Sequence, residues 1–330
     1  MRELVVISGK GGTGKTTVTA SFAHLASESG GALLCDLDVD APDLHLLLGP
    51  RPEEEHAFRS GFEACIDPAL CAACGRCAEL CRFGAVRFRD GAFAVDGLRC
   101  EGCGVCERFC PTEAVTLREK HCGTWWQSSM RLGPMVHAQL FPGEENSGRL
   151  VSLLKQQARE RARALGLPLL LCDGAPGIGC PVIASLSGAS RAVVVTEPTP
   201  SGLHDLERVA DLCAHFRIPV AVLVNKHDLN PENSARIQGL CRERGLDDLG
   251  LLPHDEAAVR AMLREQSVTE LAPTPLSDAL RRAWALLSSL PDRRPGGLVQ
   301  VLRAPRPGVS ASTGSGAQAS PFAANTLKPA

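Results

Sequence analysis

Tyrosine is absent from the 330-residue chain and aromatic residues make up 4% of it, so no tyrosine chemistry is available. Lysine is scarce, with six residues against 29 arginines. A strong net charge is missing as well: 35 basic and 37 acidic residues leave −2. That excludes nucleic-acid binding through a whole-protein field. No run approaches the roughly 18 consecutive apolar residues that a membrane-spanning helix needs. The start, MRELVVISGK, has no signal-peptide core, which predicts a cytoplasmic protein. Hydrophobic residues at 44% and charged residues at 22% exclude a mainly disordered or collagen-like chain. The length fits two domains, or one large domain carrying an insertion.

What the chain has in excess is cysteine, 15 residues in all. Disulfides rarely persist in the cytosol, and eight of the 15 fall between Cys71 and Cys110, so the excess is local and points to metal. The spacing is Cys71-x-x-Cys74-x-x-Cys77-x-x-x-Cys81, repeated as Cys100-x-x-Cys103-x-x-Cys106-x-x-x-Cys110-Pro111. This is the bacterial two-cluster ferredoxin pattern, in which the fourth cysteine of each run serves the other cluster. Three thiolates on one tight loop take three corners of a cubane, and the remaining cysteine of that loop points away. One 4Fe-4S cluster would use Cys71, Cys74, Cys77 and Cys110, the other Cys100, Cys103, Cys106 and Cys81. Arg82 stands where the first run would often have proline. Structural zinc sites more often pair two C-x-x-C units of two ligands each.

The rest alternates strands and helices. ELVVIS (3–8) and ALLCDLD (32–38) read as buried strands flanking a glycine loop and a helix, a βαβ unit. After the cysteine segment, with its strand-like pieces AVRF (85–88) and AVTL (114–117), the pattern resumes. A helix is predicted from Leu150, then a strand LPLLLCDGAPG, strands RAVVVT and PVAVLVN with a helix between them, a short strand LGLLPHD, and helices at 256–265 and 276–290. The chain thus divides into 1–59 and 118–290, folding together, an insertion at 60–117, and a Pro/Gly/Ser-rich tail at 291–330 expected to be disordered.

Gly9-Lys10-Gly11-Gly12-Thr13-Gly14-Lys15-Thr16 fits G-x-x-x-x-G-K-[ST] between a strand and a helix, a phosphate loop. Its backbone N–H groups and the helix N-terminus would cradle phosphates. Lys15 would reach the terminal phosphates and Thr16 would place its hydroxyl on Mg²⁺; Thr17 follows in the same turn. Asp173, at a strand end, is the expected Mg²⁺ partner, and the glycines after it suit a switch.

Lys10 adds a second lysine to the loop, and KGGTGKT resembles the deviant Walker A motif of the MinD/ParA/Mrp family, which also contains the nitrogenase iron protein. The resemblance implies an α/β P-loop NTPase fold, a mostly parallel sheet flanked by helices, here with an inserted α+β bacterial-type dicluster ferredoxin domain. It implies an ATP-bound sandwich homodimer in which Lys10 reaches the partner's nucleotide. It gives Asp38 the role of orienting the attacking water, with Asp36 near the Mg²⁺ shell and Asp40 a weaker candidate. Asn225 resembles the family's adenine-contacting asparagine, and Pro253-His254-Asp255 the loop that closes on the base. Cys180, seven residues beyond Asp173, has a spacing like that of a cluster-ligating cysteine in the nitrogenase iron protein. With Cys122 as its partner, two copies of each across a dimer would hold a third, bridging cluster.

The function expected is an ATPase whose cycle, with ATP and Mg²⁺, gates electron transfer from two 4Fe-4S clusters to a redox partner protein. The alternative is an ATP-dependent scaffold or carrier in metallocofactor assembly. A positioning protein is disfavoured by the lack of an amphipathic membrane-anchor helix, and an amidoligase by the lack of a glutaminase domain.

Overall fold

The computed structural model describes residues 1–291; apart from Pro291, the predicted tail lies outside them. The first strand, β1 (Arg2–Ser8), is apolar over Leu4–Ile7 and buried on both faces, as a central parallel strand requires. It runs into helix α1 (Lys15–Ser27), and then β2 (Ala32–Asp36) and a short α2 (Leu44–Leu48) follow. A long strand β3 (Arg51–Ile66) leads into the cysteine segment. That segment contains α3 (Arg76–Leu80), a hairpin β4 (Val86–Arg89) and β5 (Ala92–Val95), and α4 (Val105–Arg108). The chain returns along β6 (Val115–Met130) and turns into β7 (Gly133–Leu140). The remainder is α5 (Ser147–Ala164), β8 (Leu169–Pro176), α6 (Cys180–Leu186), β9 (Arg191–Thr196), α7 (Pro200–His215), β10 (Val220–Asn225), α8 (Pro231–Arg244), β11 (Asp247–Leu252), α9 (Ala257–Leu263) and α10 (Pro275–Ser289).

Nine strands form one sheet in the order β11-β10-β9-β1-β8-β2-β7-β6-β3. From β11 to β7 all neighbours are parallel, whereas β6 and β3 are antiparallel additions at the edge. The pleat of β1 sorts the core. Leu4 and Val6 pack with Phe22 and Leu280 on the α1/α10 face, and Val5 and Ile7 with Leu150, Val182 and Leu206 on the α5–α7 face. The chain crosses from one side of β1 to the other between β8 and β9, the kind of switch point beside which open parallel sheets bind ligands, at the carboxyl ends of their strands.

The antiparallel edge is the main departure from the sequence reading, which recognised neither β3 nor β7 and only the first residues of β6. Strands β3 and β6 pair from Arg51↔Ser129 out to Ile66↔Val115, with bulges near Phe58 and Arg59. The β7 ladder ends at Gly123↔Leu140, so β6 residues 115–122 run past it. Eight residues at strand rise reach roughly 26 Å. Because β7 is parallel to β2, the overhang leaves from the carboxyl end of the sheet, the edge that carries the phosphate loop. Residues 60–66 and 115–117, grouped above with the cysteine segment, are the outer end of this arm. Helices α6 and α8 were also not anticipated.

Candidate functional site

Helix α1 starts on Gly14, a left-handed residue (φ 88°), and no side chain caps its N-terminus. The first-turn N–H groups therefore remain for an anion. A Cβ on Gly14 would stand 2.4 Å from Asn225 Nδ2, so the loop closes only with glycine there. Asn225 Nδ2 donates to the Thr13 carbonyl (2.8 Å) and its Oδ1 accepts the Lys226 N–H (3.0 Å). Asn225 thus braces the phosphate loop, whatever its relation to a base.

Three acids converge beneath the loop. Lys15 is buried, with Nζ 3.0 Å from Asp173 Oδ1 and 3.6 Å from Asp38 Oδ2. Thr16 Oγ1 donates to Asp173 Oδ2 (2.8 Å), and Thr19 Oγ1 to Asp173 Oδ1 (2.8 Å). Thr19 went unnoticed in the sequence; its position three residues beyond Thr16, on one helix face, was the available signal. Burial alone would lower the Lys15 pKa, yet the surrounding Asp173, Asp38 and Asp36 carry it above the ordinary lysine value. Burial, reinforced by Asp173, pushes the Asp36 carboxyl well above the usual range. Its Oδ1 accepts the Asp38 N–H (3.1 Å), while its buried Oδ2 has no protein partner. Burial also raises Asp38, and raises Asp40 less deeply in the same cleft. Crowded carboxylates around an unpaired buried oxygen fit a divalent cation with its water shell.

The cleft above is lined by Gly11 through Val18, Asp38, Asp40, Asn225 and the Leu252–Glu256 loop. Pro253 and Asp255 are in it, and the Asp255 side chain accepts the Ala257 N–H (2.8 Å). His254 is exposed. Gly9 and Lys10 do not line this cleft; Gly9 packs on Asp205, where a Cβ would approach to 2.3 Å.

At the arm's tip the two cysteine runs share one backbone pattern. The middle cysteine of each is flanked by left-handed residues, Ala73 and Gly75 in the first, Gly102 and Gly104 in the second. A one-turn helix follows each time, and a further left-handed residue (Gly84, Glu113) lies three positions past the last cysteine. Cys81 from the first run and Cys100, Cys103 and Cys106 from the second line a single cavity. The Ala64 N–H points at Cys100 Sγ (3.4 Å). At Cys110, slight burial raises the thiol, but N–H groups of Thr112, Ala114 and Val115 outweigh it and bring it below the ordinary value. All 15 cysteines are free thiols. Among the described residues, no three His, Cys, Asp or Glu side chains stand together as ligands of a single metal ion.

The suggested pairing of Cys122 with Cys180 meets an obstacle. Cys122 is buried with its Sγ on the Ser60 carbonyl (3.2 Å), so it offers no face to a second chain. Cys180 is exposed in a cleft between α5 and α6.

The family model for the CobQ/CobB/MinD/ParA nucleotide binding domain matches residues 4–268. The uncharacterized protein MJ0578 of Methanocaldococcus jannaschii is 32% identical over 233 residues, 70% of this chain and 80% of that one. Among solved structures, the septum site-determining protein MinD of Pyrococcus horikoshii, complexed with Mg-ADP, is 15% identical with a TM-score of 0.53, covering 87% of this chain and 96% of that one. The MinC:MinD cell division complex of Aquifex aeolicus gives 20%, 0.52, and 90% and 100%. At these identities the structural likeness is one of fold.

Proposed function

Since the chain belongs to the CobQ/CobB/MinD/ParA nucleotide-binding family, we propose that it hydrolyses MgATP in a nucleotide-dependent homodimer, and that this cycle gates electron delivery from two 4Fe-4S clusters to a partner protein. The observation that carries the redox half is the meeting of Cys81 with Cys100, Cys103 and Cys106 on one cavity. That grouping supports the crossed ligand arrangement of a two-cluster ferredoxin. By the same exchange Cys71, Cys74, Cys77 and Cys110 would hold the second cluster. Bound there, the clusters would supply one-electron storage. The chain's own contribution is an N–H donor aimed at Cys100 and several at Cys110, where they favour the thiolate form.

On the nucleotide side, Lys15 leaves Asp173 for the terminal phosphates. Thr16 and Asp173, with Asp36 behind them, hold the Mg²⁺ shell, and Asp38 orients the attacking water. Lys10 serves the partner's nucleotide, and Asn225, Pro253 and Asp255 bound the adenine slot. The arm supports a link between the halves, since it sets the cysteine lobe off the same sheet edge as the phosphate loop.

The test is anaerobic preparation followed by iron and sulfide analysis and EPR of the dithionite-reduced protein with and without MgATP. Two clusters of four irons predict eight irons per chain, and a signal or electron-transfer rate that changes with MgATP. A folded, iron-free protein under anoxia would refute the redox half. Rapid cluster transfer to an apo-acceptor would favour the assembly-carrier reading instead.

A further inference from the structure

Two lysines besides Lys15 stand at the phosphate loop, Lys10 within it and Lys226 on the cleft wall, and one carboxylate holds both. Lys10 Nζ lies 3.3 Å from Glu197 Oε2, 3.3 Å from Ser201 Oγ and 3.5 Å from Thr199 Oγ1. Lys226 Nζ lies 2.5 Å from Glu197 Oε1 and donates to the Gly12 carbonyl (3.2 Å). An ammonium has three N–H donors, and Glu197 and Thr199 on the β9–α7 connection, with Ser201 in the first turn of α7, stand ready to take all three from Lys10. The Glu197 side chain is only 14% exposed. Its backbone is fixed too: its carbonyl accepts the Thr199 N–H (2.8 Å), and Thr199 caps α7.

We propose that Glu197 is a positioning residue that parks Lys10 in its own subunit and so sets the threshold for the nucleotide-bound homodimer. The proposal rests on the reading above in which Lys10 acts on the partner's nucleotide. To get there, Lys10 must give up Glu197, Thr199 and Ser201 together. Glu197 is not stranded when that happens, because Lys226 stays on its other oxygen. The parked state is therefore releasable: the carboxylate keeps one cation while a phosphate takes the other. Lys226, bonded at once to Glu197 and Gly12, keeps the loop seated through the exchange. Burial pushes the Glu197 carboxyl up, but Lys226 and Lys10 together bring it below the ordinary glutamate value, so the latch stays charged at neutral pH.

Glu197→Gln keeps the shape and removes the charge, and Glu197→Asp keeps the charge. With full-length protein and Mg²⁺ plus the non-hydrolysable analogue AMPPNP, sedimentation should show Glu197→Gln dimerising at about three- to tenfold lower protein concentration than wild type. Glu197→Asp should move less than half as far. Ser201→Ala should shift in the same direction by a smaller factor, and it serves in place of Glu197→Gln if that variant does not fold. A second readout needs no nucleotide. Acetylation by an N-hydroxysuccinimide ester, read by mass spectrometry with Lys120 as internal reference, should modify Lys10 about threefold faster in Glu197→Gln. Equal Lys10 labelling, or unchanged or weaker dimerisation of the variant, overturns the latch. If even wild type stays monomeric with the analogue, the homodimer reading falls, and the labelling experiment still decides whether Glu197 parks Lys10.

Discussion

Lys155→Met should be among the most destabilising single changes outside the nucleotide site. Lys155 rises from α5 into the base of the sheet, where its Nζ sits 2.5 Å from Glu3 Oε1; the two side chains are 2% and 5% exposed. Arg159 completes the set with bonds of 2.8 and 3.0 Å to the same carboxylate. Lys155 also donates to the Ser185 and Ser187 carbonyls, at the end of α6. Methionine fills the space of the lysine stem but leaves Glu3 with Arg159 alone and takes the lysine donor from the Ser185 carbonyl, while Ser187 keeps its bond from Arg159. Breaking a buried pair from one side costs about 3–5 kcal/mol, whereas replacing both partners with apolar or neutral groups is often close to neutral. For a chain of this size that loss lowers the melting temperature by about 5–8 °C. The assay is urea and thermal unfolding of Lys155→Met, Glu3→Gln and the double variant, read as a double-mutant cycle. The double variant should recover at least half of the loss. A Lys155→Met protein within about 1 kcal/mol of wild type would show that the triad is not a closed unit.

Three further outcomes are expected. His137 is buried against His45 and bonded to Ser128 Oγ (2.8 Å), and burial, helped by His45, lowers its pKa to about 4. The unfolded state, titrating near 6.5, then binds the extra proton, so stability is complete above about pH 6.5 and declines as pH falls toward 4, by up to about 3 kcal/mol; in His137→Gln, urea midpoints at pH 7.5 and 5 should differ much less than in wild type. Gly14→Ala forces a Cβ into a left-handed residue and against Asn225, and calorimetry should find MgATP affinity reduced at least about tenfold; binding within threefold of wild type would contradict the loop geometry. Thr19→Val deprives Asp173 of one of its two hydroxyl donors, which should raise the Mg²⁺ requirement for nucleotide binding about threefold or more while leaving metal-free binding unchanged.

The sequence carried the site better than the sheet. Lys15, Thr16 and Asp173 were legible because a phosphate loop and a strand-end acid tolerate little variation in spacing, and they do meet, within 3.0 Å. Strands β1, β8, β9 and β10 announced themselves as apolar runs, since both faces are covered. Strand β3, RPEEEHAFRSGFEACI, did not: nine of its 16 residues are exposed and only Phe58, Ser60 and Ala64 are buried, too few on one face to impose a period of two. The same holds for the outer half of β6. Helix α8, PENSARIQGLCRER, buries only Asn233, Ser234, Ile237 and Cys241, too narrow an apolar stripe to stand out. Glu197 could not be recognised from sequence at all, because its role depends on Lys10 and Lys226, which lie far from it in the chain and near it only in the fold.

A flexible tether would let the cysteine lobe drift independently of the nucleotide edge, but the arm is a paired ribbon clamped where it leaves the sheet. At its bulge, Ser60 accepts from Cys122 through its carbonyl and from Arg149 (3.3 Å) through its hydroxyl, and Lys120 pairs with Glu144 at 2.9 Å. Arg149 is in the first turn of α5, and Glu144 stands just before that helix. The same helix carries Lys155 and Arg159, which grip the base of β1 and the end of α6. Helix α6 in turn begins four residues after Pro176, the end of the strand that bears Asp173. The 174–179 segment is thus joined to α6, α6 to α5 packed against it, and α5 to the arm root, so a shift of that segment on loss of a phosphate would reach the arm in the cycle proposed above. Beyond the 177–179 connection these links are buried or charge-assisted contacts, which support the proposed coupling between the phosphate site and the cysteine lobe.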